Sequence, residues 1–285
     1  MKDGGGEIHG VQEGSVRDGR LKPRAPPSGG DRMRQYHFEG IPLTIPDSLT
    51  EMQELFSQLL TERRNAVISF INPEIFLAQQ KDGALHDYFL HTRYNFIDGI
   101  GLLRAINRAV GAKYGAESRF PGTDFFSYIP PGKAVRVYLY GSRIEHLEAA
   151  KEKIERQFPG VQIIEWTFGY TKFDGDFLVQ KINSAKADVL IVCKGCPLQE
   201  QWISENIGKL DVGIVFGNGG AVDFWSGTAR RAPQCVIRHG LEWLWRLFAS
   251  FSFHRLMRQV RLVEFAMNAW RGKYDVREIE TDSAV

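Results

Sequence analysis

The feature that most constrains the fold is a regular alternation of apolar strands and amphipathic helices in the middle of the chain. Apolar runs typical of buried strands occur at 135–140, 161–166, 189–193 and 212–216. Segments with helical periodicity lie between them at 144–157, 176–184 and 199–207. Strands and helices that alternate at this spacing form βαβ units, so the sequence predicts a parallel α/β sheet with flanking helices.

The residues before this alternation extend the same architecture. Ser48 is a typical N-cap residue, and the apolar residues that follow at helical spacing predict a helix to about Arg64. The continuous apolar run 67–71 predicts a buried parallel strand, which Asn72 and Pro73 end. We also predict a strand or hairpin over 38–46 and helices over 73–80 and 102–110.

Ligands of such sheets bind beyond the carboxyl ends of the strands. The candidate functional loops at those ends are Asn72, Gly169–Tyr170, Gly195–Gln199 and Gly217–Asp223.

Composition divides the chain into four segments. Residues 1–34 are rich in Gly, Pro and charge, with almost no large apolar side chains, so we expect a disordered tail. An α/β domain is expected over 35–228. In 229–275 the alternation stops and Trp, Phe, Leu and Arg are dense, which predicts an amphipathic helical appendage. We expect a flexible tail over 276–285.

Charge and hydropathy argue against several classes of protein. A formal net charge of +2 gives no reason to expect nucleic acid as a partner. The sequence has no apolar run of about 18 residues and no secretory signal, so we expect a cytoplasmic protein. Cys193 and Cys196 spell C-x-x-C, which permits a zinc or redox site. No second ligand pair stands at zinc spacing, which favours incidental cysteines.

Three strings in the second half of the chain carry a family resemblance. They are GCPLQEQW (195–202), FGNGGAVDFWSGTARRAPQ (216–234) and GLEWLWRL (240–247). They resemble the WecG/TagA/CpsF glycosyltransferases (family 26), whose pattern is G-x-P-K-Q-E-x-W, then G-V-G-x-x-F-D-x-x-x-G-x-x-x-R-A-P, then L-E-W-L-Y-R-L. Upstream matches in family order are INPEIF (71–76), Asp98–Gly99, Arg119 with PGTD (121–124), and FGY (168–170).

The resemblance implies a Rossmann-like fold of the GT-E type, with a C-terminal helical appendage that faces the membrane. It implies an inverting transfer from a UDP-sugar to a polyprenyl-diphosphate-linked saccharide, on the inner face of the bacterial plasma membrane, in surface polysaccharide synthesis. Family members transfer N-acetylmannosamine, its uronic acid or glucose. The implied partners are the UDP-sugar, the lipid-linked acceptor and an anionic membrane surface. No metal or other cofactor is implied, and a homo-oligomer is possible.

An inverting transfer needs a carboxylate that takes the proton from the attacking hydroxyl, and groups that stabilise the leaving diphosphate. Asp98 matches the family's catalytic aspartate and is our candidate base. The alternative interpretation of Asp98 is the N-cap of the next helix. Gln199, just past a strand end, is a second candidate catalytic residue, because its amide would hold sugar hydroxyls or phosphate.

Further residues match family positions around the donor, and the resemblance implies donor binding by Asn72, Arg119, Tyr170, Gly195 and Asp223. Arg119 would meet the diphosphate, whereas Tyr170 and Asp223 would contact the uracil base. The alternatives are a solvated arginine, a core tyrosine and a turn aspartate. The chain departs from the family at Phe70, because members usually carry Thr two residues before the asparagine.

The arginines of the appendage suit the acceptor. We expect Arg246, Arg255 and Arg258 to bind its diphosphate, because guanidinium groups bind phosphate oxygens in pairs. The aromatic residues among them suit the interface of an anionic bilayer. Packing at an oligomer interface is the alternative role for these aromatics.

Two motifs and one alternative function stay open. Asp174 and Asp176 spell the D-x-D of metal-dependent glycosyltransferases, although their place at a predicted helix start favours N-capping. The loop Gly217–Gly220 would bring backbone N–H groups to a phosphate. The alternative function is a catalytically inactive, membrane-associated adaptor of a polysaccharide assembly complex, which the loss of the hydroxyl at Phe70 supports.

Overall fold

The computed structural model describes residues 33–169, 175–229 and 253–279, together with Ala232, Pro233, Val236 and Trp245, and only the backbone within 253–260. Over these residues the protein is a mixed α/β structure with helices on both faces of a central sheet, as the alternation predicted. None of the helices in this part of the chain is long and apolar enough to cross a membrane.

The described strands form one sheet. They are β1 (Arg34–Phe38), β2 (Ile41–Ile45), β3 (Ala66–Ile71), β4 (Tyr94–Ile97), β5 (Val135–Gly141), β6 (Val161–Thr167), β7 (Val189–Cys193), β8 (Ile214–Gly217) and β9 (Val276–Glu278). Their order is β6-β5-β7-β8-β3-β4-β2-β1-β9. Neighbours are parallel from β6 to β2, whereas β1 runs antiparallel to β2 and β9. The prediction of a parallel sheet is confirmed.

The described helices are α1 (Leu49–Glu62), α2 (Pro73–Gln79), α3 (Gly83–His91), α4 (Ile100–Val110), α5 (Ile144–Gln157), α6 (Gly175–Ala185), α7 (Leu198–Asn206), α8 (Ala221–Ser226) and α9 (Phe253–Trp270). Local chemistry sets several of their ends. Ser48 caps α1, as predicted, with its Oγ accepting from the backbone N–H of Glu51. The α4 helix ends where Gly111 takes a left-handed conformation, which suits glycine.

Two apolar clusters cover the two faces of the sheet, because alternate side chains of a strand point in opposite directions. One cluster joins the sheet to α1, α5, α8 and the 3₁₀ helix Gly122–Tyr128. The other joins it to α2, α3, α4, α6, α7 and α9. The helix after β8 therefore lies on one face, and the helices after its neighbours β7 and β3 lie on the other. Such a divergence opens a crevice at the carboxyl ends of the strands, where α/β sheets bind ligands.

The end of the described chain belongs to this α/β body. Helix α9 falls within the expected appendage, yet Phe265 and Ala269 are buried. The ring of Phe265 contacts those of Phe38, Phe76 and Tyr274, with centroids 6.4, 5.9 and 5.0 Å apart. This inner face of α9 packs on α2 and α4.

The predicted boundaries of the two tails are wrong by a few residues. We expected a flexible tail from residue 276, but Val276–Glu278 is strand β9 and pairs with β1. The expected disordered segment ended at residue 34, but Arg34 already pairs with Ile45 in β1. In both cases backbone hydrogen bonds to a neighbouring strand order residues that composition alone assigns to a tail.

Candidate active site

Asn72 and Asp98 come together at the carboxyl ends of β3 and β4. The last residues of these parallel strands, Ile71 and Ile97, lie opposite each other. The backbone N–H of Asp98 donates to the carbonyl oxygen of Ile71 at 2.9 Å. A Cβ added to Gly99 would lie 3.3 Å from the Cβ of Asn72. The register of two strands therefore makes neighbours of two residues that are far apart in sequence.

Asp98 does not cap the helix that follows it. The N-cap residue of α4 is Gly99, so the interpretation of Asp98 as an N-cap is wrong. Position 99 has no room for a side chain, because a Cβ there would lie 2.5 Å from Cδ of Pro73. The strand end and this glycine together place the half-buried carboxyl group of Asp98 at the edge of the sheet.

The oxygen and the nitrogen of the Asn72 side-chain amide have different surroundings. As the N-cap of α2, its Oδ1 accepts a hydrogen bond from the backbone N–H of Ile75 at 3.0 Å. Its Nδ2 makes no hydrogen bond to any described residue. The nitrogen end of this half-buried amide can therefore donate to a ligand beside Asp98.

Arg119 lies at the same strand end. The next residue, Phe120, donates its backbone N–H to the carbonyl oxygen of Ile97 at 2.9 Å, so Arg119 lies beside the Ile97–Asp98 segment. Arg119 is half-buried. The structure thus brings three of the predicted site residues, Asn72, Asp98 and Arg119, to one place.

Gln199 is buried, with only 4% of its surface exposed. Its Oε1 accepts hydrogen bonds from the backbone N–H groups of Gly195 at 3.1 Å and Gly219 at 2.9 Å. Its Nε2 donates to Oε1 of Glu200 at 2.8 Å. The side chain joins the loop after β7 to the loop after β8. This geometry favours a role for Gln199 in shaping the crevice over the direct contact with sugar or phosphate that we expected.

Glycines allow these two loops to touch. A Cβ at Gly217 would lie 2.6 Å from Cδ and Cγ of Gln199, and a Cβ at Gly219 would lie 2.5 Å from the backbone nitrogen of Gly195. A Cβ on Gly219 would overlap backbone, and a Cβ on Gly217 would overlap the middle of the buried Gln199 side chain, so both positions require glycine for space. Gly195 itself has a φ of +79°, a conformation that also favours glycine.

The loop Gly217–Gly220 uses much of its backbone within the protein. The N–H of Gly219 donates to Gln199, and the N–H of Asn218 donates to the carbonyl oxygen of Val192 at 2.9 Å. The expectation that this loop cradles a phosphate is therefore wrong for these two N–H groups, because both already have partners.

Glu200 is a carboxyl group buried beneath the same loops. It is 4% exposed, and its Oε2 is buried without a hydrogen bond to a described residue. Burial raises the pKa of Glu200, and the hydrogen bond from Gln199 opposes that rise. From sequence we expected only a first-turn helix acid at this position. Nothing in the local sequence distinguishes a buried glutamate from an exposed one.

We expect Glu200→Gln to change how stability depends on pH. Because the pKa of Glu200 is raised by folding, the folded protein holds this proton more tightly than the unfolded chain. The group's contribution is thus present at low pH and is lost as pH rises above its ordinary value of 4.5. Gln cannot ionise, so the melting temperature of the variant minus that of the wild type should increase as pH rises. Thermal unfolding of both proteins between about pH 4 and about pH 8 measures this. A difference that does not vary with pH would contradict it.

Asp223 lies in the first turn of α8, which follows the loop after β8. Its Oδ1 is 3.1 Å from Nδ1 of His146 on α5, and its side chain is 51% exposed. Burial, and then the charge of Asp223, raise the pKa of the Cys193 thiol. The sequence did not point to His146, because the packing of α5 on α8 creates this pair.

Phe70 is part of the apolar core. Its ring packs on those of Phe96 and Phe216, with centroids 5.7 and 5.4 Å away. A Cβ at Gly122 would lie 2.9 Å from Cδ2 of Phe70 and 2.5 Å from Nδ2 of Asn218. Asn218 stands where the family pattern has Val, so two departures from the family lie side by side. Nothing in the structure explains why they differ.

Some predicted site residues lie outside the described part of the chain. Tyr170 and Arg246 are not among the described residues, and only the backbone is described for Arg255 and Arg258. Their predicted roles in donor and acceptor binding stay predictions.

A metal site can be examined only among the described residues. Within 33–169, 175–229 and 253–279, no group of three or more His, Cys, Asp or Glu side chains is arranged to hold a metal ion. Cys193 is buried and Cys196 exposed, and neither forms a disulfide. Asp176 forms an ion pair with Lys209 at 2.5 Å, whereas Asp174 lies outside the described residues.

Comparison with known proteins points to one family. The model of the glycosyl transferase WecG/TagA/CpsF family matches residues 38–278. The chain is 29% identical over 221 residues to an N-acetylglucosaminyldiphosphoundecaprenol N-acetyl-β-D-mannosaminyltransferase of Bacillus subtilis (strain 168), covering 76% of this chain and 85% of that protein. It is 26% identical over 191 residues to the protein of the same name from Staphylococcus aureus (strain NCTC 8325), covering 66% and 74%.

Proposed function

The chain belongs to the WecG/TagA/CpsF family of glycosyl transferases, and from this we propose that it transfers a sugar from a UDP-sugar to a polyprenyl-diphosphate-linked saccharide. The acceptor that we propose carries N-acetylglucosamine, and the first candidate sugar is N-acetylmannosamine, because the relatives' names specify both. The process served is the assembly of a bacterial surface polysaccharide.

The observation that carries this proposal is the meeting of Asn72, Asp98 and Arg119 where β3 and β4 end. The carboxyl group of Asp98 would act as the base, and the amide of Asn72 would donate to the sugar. The guanidinium group of Arg119 would bind the diphosphate. The helices after β7, β8 and β3 diverge at the same edge, which leaves space for a ligand.

In the proposed reaction Asp98 takes the proton from the attacking hydroxyl of the acceptor. The hydroxyl oxygen then forms a bond to the anomeric carbon of the donor sugar. On the opposite face of that carbon, the bond to the diphosphate oxygen breaks, and UDP leaves with the electron pair. The configuration at the anomeric carbon is therefore inverted. Arg119 stabilises the charge that develops on the diphosphate.

The proposed acceptor is a lipid, so the protein has to work at a membrane surface, which we place on the inner face of the plasma membrane. The outer side of α9 supports this proposal. Val263, Met267 and Trp270 fall on one side of the helix and are 51%, 45% and 77% exposed. The exposed basic residues Arg271 and Lys273 follow directly. An apolar stripe next to basic side chains suits an anionic interface.

Thermal unfolding in the presence of different donors tests the choice of nucleotide sugar. A ligand that binds only the folded protein raises its melting temperature, by an amount that grows with concentration. We expect UDP and UDP-N-acetylmannosamine to stabilise the protein, and GDP-mannose at the same concentration to have no effect. The stabilisation should survive EDTA. A stabilisation that requires Mg²⁺ or Mn²⁺ would favour the metal-dependent alternative with Asp174 and Asp176.

A further inference from the structure

We propose that Glu200 is a positioning residue that holds the two glycine loops of the donor crevice together through Gln199. Here the glycine loops are the segment that contains Gly195, after β7, and the segment Gly217–Gly219, which begins at the last residue of β8. The role for the donor rests on the proposed function, because these loops edge the crevice in which we place the nucleotide sugar. The structural part of the proposal rests on the described hydrogen bonds alone.

The amide of Gln199 can work in only one orientation. Two backbone N–H groups, from Gly195 and Gly219, point at one end of it, so that end must be the oxygen. The nitrogen then faces Oε1 of Glu200 at 2.8 Å, which accepts its hydrogen bond. A rotated amide would turn its NH₂ group toward two N–H donors and its oxygen toward the carboxyl group of Glu200. The two N–H groups thus select the oxygen end of Gln199, and Glu200 supplies the acceptor that holds the opposite end in place.

Both partners are too deeply buried to meet a substrate directly. Gln199 and Glu200 are each 4% exposed. The loops, in contrast, are half-buried at Gly195, Gly217 and Gly219. The effect of Glu200 on the donor thus passes through Gln199 to the loop backbone, where the two loops are in contact.

An alternative role for Glu200 is that of an acidic residue in the first turn of α7, which stabilises the helix through its dipole. A helix-dipole role needs a charge and no particular partner. The positioning role instead needs a hydrogen-bond acceptor at Oε1. Glu200→Gln keeps the acceptor and removes the charge, whereas Glu200→Met removes both at similar volume.

The test combines steady-state kinetics with hydrogen exchange on the full chain. For transfer from the donor that the wild type uses, we expect Glu200→Met to raise KM for the donor about tenfold, with a smaller change in kcat. Glu200→Gln should stay within about twofold of the wild type. The matched control is Glu205→Met, because Glu205 is an exposed acid on the same helix and should leave both constants unchanged.

Hydrogen exchange of the two loops makes the proposal independent of activity. Peptides that contain Gly195 and Gly219 should exchange their amide hydrogens faster in Glu200→Met than in the wild type, and should not change in Glu200→Gln or Glu205→Met. If Glu200→Met fails to fold, Gln199→Met takes its place. This variant removes the side chain that joins the two loops, so the same two peptides should exchange their amide hydrogens faster.

Two results would overturn the proposal. One is wild-type exchange at both loops in the folded Glu200→Met or Gln199→Met protein. The other is a Glu200→Gln variant as defective as Glu200→Met, which would mean that the negative charge is what matters. If the wild type transfers no sugar but loop exchange in the variants changes as expected, the proposed function is wrong. The hydrogen-bonded link from Glu200 through Gln199 to the loops would still be supported.

Discussion

Replacing Asp98 with Asn is expected to lower kcat by about 10²–10⁴-fold, the usual contribution of a general base. Asn has nearly the same shape and can still accept a hydrogen bond, but it cannot take the proton from the acceptor hydroxyl. Because Asp98 follows β4 directly and does not cap α4, the fold should tolerate this change. Steady-state transfer assays measure kcat, and stabilisation of the variant by UDP shows whether the donor still binds.

The control for this variant is Asp87→Asn. Asp87 is exposed on α3, so losing its charge should not change kcat. Turnover by Asp98→Asn within about threefold of the wild type would rule out Asp98 as the base. Loss of UDP binding together with turnover would instead give Asp98 a structural or donor-binding role.

Replacing Gly219 with Ala is expected to damage both stability and donor binding. The new Cβ would lie 2.5 Å from the backbone nitrogen and 2.9 Å from the Cα of Gly195, and backbone cannot move aside as a flexible side chain can. Overpacking of this kind costs about 1–3 kcal/mol of the free energy of unfolding. Separation of the loops would also break the hydrogen bond from Gly219 to Gln199. Denaturant unfolding and the KM for the donor measure the two effects.

Gly220→Ala is the matched comparison. No heavy atom lies within 4 Å of a Cβ built on Gly220, and its φ does not lie in the range that favours glycine. We expect this variant to differ from the wild type by less than about 0.5 kcal/mol, as exposed substitutions usually do. Equal losses in the two alanine variants would contradict the contact between the loops.

Local patterning accounts for most of the predicted fold. Leu147, Ala150 and Ile154 are buried at the helical spacing that predicted α5, and the predicted strand 189–193 coincides with β7. The two shortest strands that were missed escaped prediction because periodicity needs length. Strand β4 has four residues and β9 has three, and each depends on a partner strand that is distant in sequence.

The candidate site was predictable only where it follows strand ends. Asn72 was expected at the end of the predicted strand 67–71, which the structure places in β3. Asp98 was identified by the family resemblance alone, because the strand that it follows, β4, was not predicted. The bond from Gly219 to Gln199 spans 20 residues, and that from His146 to Asp223 spans 77. Such contacts depend on how loops and helices meet in three dimensions. The burial of Glu200, and hence its bridge to Gln199, could not be inferred from sequence for the same reason.

Transfer of a labelled sugar to a lipid acceptor tests the central claim most directly. The purified full chain is incubated with UDP-N-[¹⁴C]acetylmannosamine and N-acetylglucosaminyl-diphospho-polyprenol in vesicles that contain anionic lipid, and the label in the lipid fraction is counted. We predict labelled lipid with the wild type, in the presence of EDTA as well, and almost none with Asp98→Asn. No labelled lipid from any UDP-sugar that stabilises the wild type would contradict the account and favour a catalytically inactive adaptor.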